Sequence, residues 1–369
     1  MKRIIFYLPF KIDRNRFSAS QIRPVKMLDT FKEIGYEVDL VEGYAKDRSI
    51  AIKKIKDKIK QGVKYDFLYS ESSTLPFLLT ECHHYPIHPF LDFGFFLFCR
   101  KHGIKIGLFY RDIFWRFDIH KTSIWKKKLL IWFHKYDLRK YQELVDVLFV
   151  PSLEMLAYLP FDLKICTQSL PAGCVVHEKG IPQAHVKKEK IEFLYVGGIG
   201  SHYDLKLFLK VLNVTKGGHF TFCCRREEWN MVSKEYEEYL SDNVSIVHES
   251  GPNLDLLYRK ADVFCLFVNP SEYWKFAVPY KLFETIGWKC PILASKGTWI
   301  ADYIEENQIG ITCKYDENEL KYLLEGLSVE SLSMYRRQLE NLAVSQSWES
   351  RCSLVASLLK CNVLLAHNY

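Results

Sequence analysis

The stretch that settles the fold reads Pro279-Tyr280-Lys281-Leu282-Phe283-Glu284-Thr285-Ile286-Gly287-Trp288-Lys289-Cys290-Pro291-Ile292-Leu293-Ala294-Ser295. Pro279 marks a helix start, and Lys281 and Glu284, three apart, share one face of that helix. A glycine turn at Gly287 leads into a short buried strand at 291–294 and then a polar loop, Ser295-Lys296-Gly297-Thr298. This order of parts suits a ligand with a diphosphate and a ribose. It offers a cation, a carboxylate for hydroxyls, and the free amides of a helix N-terminus. The competing reading of Lys281 and Glu284 is a surface ion pair made with each other.

The same alternation of strand and helix runs through the chain. Strands are expected at 4–8, 36–41, 66–70, 104–110 and 145–150, with helices at 23–34 and 49–61. Gly35 stops the first helix. A polar segment broken by Gly180 and Pro182 follows, and the pattern restarts at 191–196, 220–224, 244–247, 263–268, 291–294 and 311–313. Two successive α/β units with mainly parallel sheets are predicted. Their expected bounds are 1–175 and 191–345, joined by a linker at 176–190. A tail at 346–369 contains a last helix near 348–359.

Composition agrees with two globular units. The chain has 369 residues, 48% hydrophobic and 26% charged, which excludes wholesale disorder. A net charge of +7 suits anionic partners such as nucleotides or acidic lipid headgroups. No zinc-finger spacing and no arginine-rich tail is present, so no nucleic-acid partner is expected. The 11 cysteines include no C-x-x-C pair, as expected for free thiols in a reducing compartment. The apolar run after Met1-Lys2-Arg3 is too short for a signal peptide and lacks a small-residue cleavage site. No apolar window approaches the roughly 18 residues of a membrane span. A cytoplasmic location is expected.

Other candidate residues follow strands, where open α/β sheets bind ligands. Gly197-Gly198-Ile199-Gly200 follows the strand at 191–196 and is either a tight turn or a ligand-facing turn. The full dinucleotide fingerprint is absent, because Tyr203 stands where its third glycine belongs. Arg225 and Arg226 follow the strand at 220–224. They either clamp a diphosphate or form a solvated turn with Glu227 and Glu228. In the first half, Ser18, Ser20 and Arg23 end a long loop, where capping accounts for one hydroxyl but not both. Arg111 and Asp112 follow the strand at 104–110, as a functional pair or a buried structural one. Ser70-Glu71-Ser72 closes another strand in the same way. The segment 121–141 holds six lysines, one arginine and a single acid, with Trp125, Leu129, Trp132 and Tyr136 on one helical face. Such a helix either lies on an anionic membrane or packs in the core with a wet basic face. No H-E-x-x-H, G-x-S-x-G or P-loop occurs, and His83, His84 and His88 lack a partner set, so no metal site is expected.

Taken together these residues resemble a retaining glycosyltransferase of family 4, of the kind that builds bacterial capsule, O-antigen and exopolysaccharide. The segment 279–294 carries most of the likeness, supported by 193–200, Arg225, Leu170-Pro171-Ala172-Gly173, 18–24 and 110–117. The resemblance implies the α/β GT-B fold, with two Rossmann-like domains whose parallel sheets face each other across a cleft. It implies a nucleoside-diphosphate sugar as donor, UDP- or GDP-linked, and a hydroxyl of a glycan or lipid-linked acceptor. On this reading Glu284 binds the ribose, and Lys281, Arg225 and Arg226 meet the diphosphate. Gly198, Gly200 and the amides of Gly297 and Thr298 line the donor. Asp112 takes a catalytic place, and Ser18, Ser20, Arg23 and Arg111 face the acceptor. The resemblance also implies that no metal is needed and that the last helix crosses back to the first domain. The pattern departs at Phe276, where the family usually has a glutamate. Two other readings remain: a nucleotide-sugar epimerase on the same architecture, and a non-catalytic partner in a polysaccharide assembly complex.

Overall fold

The computed structural model describes residues 2–117, 124–178, 190–200, 203–215 and 217–360. Most of the expected linker, 179–189, lies outside the described residues. So do 121–123 of the basic segment and 361–369 of the tail.

The first unit builds β1 (Arg3–Tyr7), α1 (Ala19–Glu33), β2 (Glu37–Val41), α2 (Ala45–Lys60), β3 (Phe67–Glu71), α3 (Leu91–Lys101), β4 (Lys105–Phe109), α4 (Ile124–Leu144), β5 (Val147–Val150) and β6 (Cys166–Ser169). Its sheet has the order β2-β1-β3-β4-β5-β6, and every pairing is parallel. Strands β3 and β5 are buried along their whole length. For that reason β5 reads as an unbroken apolar run, whereas β3 ends in the buried polar residues Ser70 and Glu71. Because all strands run one way, the segments that follow them gather at one edge.

Two local features differ from the sequence reading. Helix α1 begins at Ala19, so Arg23 and Pro24 lie inside it and are buried. The apolar spacing of Val25, Leu28 and Phe31 marks only its later turns. The edge strand β6, Cys-Thr-Gln-Ser, has neither alternation nor an apolar run and carries no sequence signal. Gly35 does end α1, with φ +88°.

The second unit builds β7 (Ile191–Val196), α5 (Lys206–Thr215), β8 (Gly218–Cys223), α6 (Arg226–Val232), β9 (Val244–Val247), α7 (Leu254–Lys260), β10 (Val263–Leu266), α8 (Tyr280–Gly287), β11 (Ile292–Ser295), α9 (Trp299–Asn307), β12 (Gly310–Cys313), α10 (Glu317–Gly326) and α11 (Ser333–Ser345). Its sheet is again all parallel, in the order β12-β11-β10-β7-β8-β9. The order switches between β10, β7 and β8, which in such sheets is where ligands bind.

Gly287 is the last residue of α8, not the centre of a turn. The left-handed residue of that turn is Lys289, with φ +55°. What Gly287 supplies is space: a Cβ there would stand 2.1 Å from the Val175 carbonyl oxygen. Helix α8 is thereby pressed against the segment 174–177.

The compact units are Met1–Ala172 with Trp348–Tyr369, and Gly173–Ser347. A last helix, α12 (Trp348–Lys360), therefore belongs to the first unit. Its Cys352 thiol donates to the Met27 carbonyl at 3.6 Å, and Lys360 pairs with Asp66 at 2.6 Å. Leu359 fills the gap left by Gly107 on β4, where a Cβ would meet it at 2.7 Å. All described cysteines are free. Among the described residues, no helix is long and apolar enough to cross a membrane.

Candidate active site

In the second unit the ends of β7, β8, β10 and β11 share one edge. The turn 197–200 leaves β7, and the Tyr195 hydroxyl donates to the Gly198 carbonyl at 2.5 Å to hold it. Arg225 caps α6 from the end of β8, and Arg226 opens that helix. Both arginines are exposed, and Arg225 is paired with Glu228. The second oxygen of Glu228 is buried without a hydrogen-bond partner, 3.5 Å from where a Cβ on Gly198 would stand. The glycine turn and the arginine turn thus meet.

Lys281 and Glu284 are paired with each other across one turn of α8. Both stay partly open, at 23% and 26% side-chain exposure. Lys281 lies within electrostatic reach of Cys223, the last residue of β8. Burial pushes that thiol up, and the ammonium opposes the shift. Glu284 adds to the upward push that burial gives the Tyr258 phenol. The charge of Lys281 is therefore felt at the end of β8, two residues before Arg225.

The third contributor is the link from β11 to α9. The Ser295 hydroxyl donates to the Val268 carbonyl and accepts the Val268 amide at 3.2 Å, tying the ends of β10 and β11. Gly297 takes φ +83°, which favours glycine, and sits 3.6 Å from Pro270 measured at its virtual Cβ. Thr298 is buried. Its hydroxyl accepts the Ala301 amide at 3.2 Å and donates to the Ser295 carbonyl at 2.8 Å. That hydroxyl is spent on capping α9, so Thr298 can offer a ligand only its main-chain amide.

Phe276 is buried and packs edge-on against Tyr273 at 5.3 Å. No carboxylate occupies that position. The nearby Glu272 pairs with Lys275 at 2.6 Å on the surface.

In the first unit, Arg23 is almost wholly buried and is held through both Nη groups, while its Nε is buried without a hydrogen-bond partner. Its guanidinium pairs with Glu71 and donates to the Tyr69 hydroxyl and the Leu170 carbonyl, both at 3.1 Å. It also stacks on the Phe109 ring at 3.4 Å. Arg111 leaves β4 on the other side of Glu71, at 3.6 Å, and stands over Phe10. The Asp112 carboxylate accepts the Ile113 amide at 2.5 Å. Ser18 precedes α1 without a side-chain capping bond; its hydroxyl lies 3.0 Å from that of Ser20.

Sequence reading missed a second buried cluster here. Arg48 reaches the Asp92 carboxylate at 3.0 Å, and the Tyr7 hydroxyl donates to the same group. The available signal was a lone acid, Asp92, inside the apolar run 90–99. Among the described residues, no set of three or more His, Cys, Asp or Glu is placed to hold a metal ion.

No protein-family model matches the sequence, and no curated protein matches it. Solved structures do match in fold. A sucrose-phosphate synthase from Thermosynechococcus elongatus is similar with a TM-score of 0.66 at 13% identity, over 97% of this chain and 98% of that one. The Anabaena protein HepE, solved in complex with UDP, is similar with a TM-score of 0.63 at 9% identity, over 97% and 99% of the two chains. WaaG, a glycosyltransferase involved in lipopolysaccharide biosynthesis, gives 0.58 at 12% identity, over 96% and 99%. At these identities the likeness shows the fold alone: two Rossmann-like units with parallel sheets, the GT-B architecture.

Proposed function

We propose that this chain is a retaining glycosyltransferase of family 4 type. It moves a sugar from a UDP- or GDP-sugar to a hydroxyl of a glycan or lipid-linked acceptor during surface polysaccharide synthesis. The observation that carries this reading is the half-open Lys281–Glu284 pair on α8, which follows β10 at the ligand-binding edge of the second parallel sheet in a GT-B frame. The complex of HepE with UDP and the stated role of WaaG support it by similarity of fold.

In this reading the second unit holds the donor. Glu284 releases Lys281 and turns to the ribose hydroxyls. Lys281, Arg225 and Arg226 meet the diphosphate, with Gly198, Gly200 and the amides of Gly297 and Thr298 around it. With the donor bound and Lys281 released, these cations and main-chain amides stabilise the charge growing on the leaving phosphate. They would make a divalent ion dispensable. Asp112, Ser18, Ser20, Arg23 and Arg111 serve the acceptor side. Arg23 does so through Glu71, since it is almost wholly buried and both of its Nη groups are taken up within the fold.

The acceptor reading extends to the membrane. Helix α4 buries Phe133, His134, Asp137, Leu138 and Tyr141 and leaves Trp125, Leu129 and Trp132 exposed at 80%, 56% and 55%. Lys126 and Lys128 flank this stripe and are exposed too. Tyr136 stacks on Trp132 and meets Phe93 of α3, whose preceding residue Phe90 is 83% exposed. An apolar stripe with lysines beside it fits the inner face of an anionic membrane, at roughly 1 kcal/mol per interfacial lysine.

A second reading, a non-catalytic partner in an assembly complex, is favoured only by the buried Phe276. Incubation with UDP- and GDP-sugars and a membrane extract tests both, and tests the epimerase reading. Labelled sugar joined to an acceptor is the expected product. Free epimerised sugar or a glycal would point to an epimerase. Absence of any turnover and of any nucleotide binding would leave the partner reading.

A further inference from the structure

Among the described residues, Arg111 is the one guanidinium of its cluster that makes no hydrogen bond; its ties to the fold are an ion pair with Glu71 and a stack over Phe10. A guanidinium carries five N–H donors. Among the described residues none of those on Arg111 makes a hydrogen bond, and its Nη2 is buried without a partner. Its nearest carboxylate oxygen, on Glu71, is 3.6 Å away and is itself unsatisfied. Glu71 is already neutralised by Arg23, whose two Nη groups are used on Glu71, Tyr69 and Leu170 while its Nε is buried without a partner. The neighbouring Asp112 spends one oxygen on the Ile113 amide. The other deeply buried arginine of this edge, Arg48, is saturated by Asp92, Glu81 and the carbonyls of Pro9 and Gly43.

Fifteen per cent of the Arg111 side chain remains exposed. Its main chain is pinned, because the Arg111 amide donates to the Ser72 hydroxyl at 3.0 Å. The Phe10 ring lies 5.2 Å beneath the guanidinium. Burial and the repulsion of Arg23 hold the guanidinium below its usual range, against the attraction of Glu71. A fixed, dehydrated and unspent guanidinium at the carboxyl edge of a parallel sheet is a receptor for an oxyanion.

The geometry points to Arg111 as the anchor of an anionic group on the acceptor, a phosphate ester or phosphodiester, held in the first unit. This rests on the glycosyltransferase reading for the word acceptor; the oxyanion site stands without it. Two sources carry this chemistry: a soluble sugar phosphate and a long-chain isoprenyl phosphate.

The test titrates full-length protein with glucose 6-phosphate, and with a long-chain isoprenyl phosphate in detergent. Parent, Arg111→Met and Lys281→Ala are compared. At least one probe should bind the parent, with an affinity about tenfold weaker in Arg111→Met. Lys281→Ala should bind that probe as the parent does. The probe that binds names the source. Equal binding by parent and Arg111→Met, or binding of neither probe by the parent, overturns the site. A thermal melt without ligand gives a second check. Arg111→Met should match or exceed the parent, and Arg23→Met should melt well below it. If Arg111→Met drops as far as Arg23→Met, Arg111 is a structural residue and the inference fails. Failure of the donor reading shows elsewhere, as nucleoside diphosphates that do not bind.

Discussion

Replacing Gly287 by alanine adds one methyl group at the end of α8. The added carbon would stand 2.1 Å from the Val175 carbonyl oxygen, 3.0 Å from the Cys174 Cβ and 3.1 Å from the Val175 carbonyl carbon. Ordinary contact between heavy atoms is about 3.5 Å, so backbone must move by roughly 1 Å. It cannot move freely. The Cys174 amide donates to Gln346 at 2.9 Å, the His177 amide donates to the Gly287 carbonyl at 3.0 Å, and the His177 ring stacks on Trp288 at 3.6 Å. Overpacking costs about 1–3 kcal/mol, and a lost hydrogen bond adds about 1 kcal/mol. The sum, about 2–4 kcal/mol, lowers the melting temperature by roughly 5–15 °C for a unit of this size. Differential scanning calorimetry measures it. Gly326→Ala is the control, since nothing lies within 4 Å of its added Cβ, and it should be neutral or slightly stabilising. A Gly287→Ala melt equal to that of the parent refutes the close approach.

Three further outcomes are expected. Lys281→Ala should raise the Kd of the bound nucleoside diphosphate by roughly 5–30-fold. A charge-assisted hydrogen bond of about 1.5–3 kcal/mol is lost, less the weak pair with Glu284 that binding breaks. Glu284→Ala should weaken binding as well, and neither change should alter the melt by more than about 1 kcal/mol of stability; unchanged affinity in both refutes the assignment. Trp132→Glu should reduce sedimentation with anionic liposomes, and equal sedimentation with the parent rules out that face. His134, buried and stacked on Trp115 at 4.8 Å, is pushed down by burial from 6.5 to about 3. Its folded value lies below the unfolded one, so its contribution is present above 6.5 and is lost as pH falls. The loss reaches about 2 kcal/mol at pH 5. Melts of parent and His134→Phe at pH 7.5 and pH 5 should show a shallower decline in the variant; identical declines contradict this.

How far the fold could be read follows from what each residue has to do. Buried parallel strands must be apolar throughout, and Ile4 to Tyr7 and Val263 to Leu266 declare themselves for that reason. The edge strand β6 is half-buried and polar, so nothing in its composition separates it from a loop. Arg23 reads as the junction of a loop and a helix, because a charged side chain and the following proline both suggest a helix boundary, whereas it lies inside α1. Its burial is intelligible only once Glu71, far along the chain, is placed beside it. The same holds for Gly287: glycine signals a turn locally, whereas the need here is a contact with Val175, more than a hundred residues earlier. Lys281 and Glu284 were legible because their spacing is local to one helix. Their pairing with each other agrees with the simpler reading, and at 23% and 26% side-chain exposure both groups remain within reach of a ligand. The donor lists of Arg23 and Arg111 have no sequence signature, since two arginines differ only in what surrounds them.

The central claim is that the second unit grips a nucleoside diphosphate with its own cations and main-chain amides. Isothermal titration of the full-length protein with UDP and with GDP, in buffer containing EDTA, tests it most directly. Saturable one-site binding of at least one of the two is predicted. Absence of binding for both, or binding that appears only when a divalent ion is restored, would contradict it.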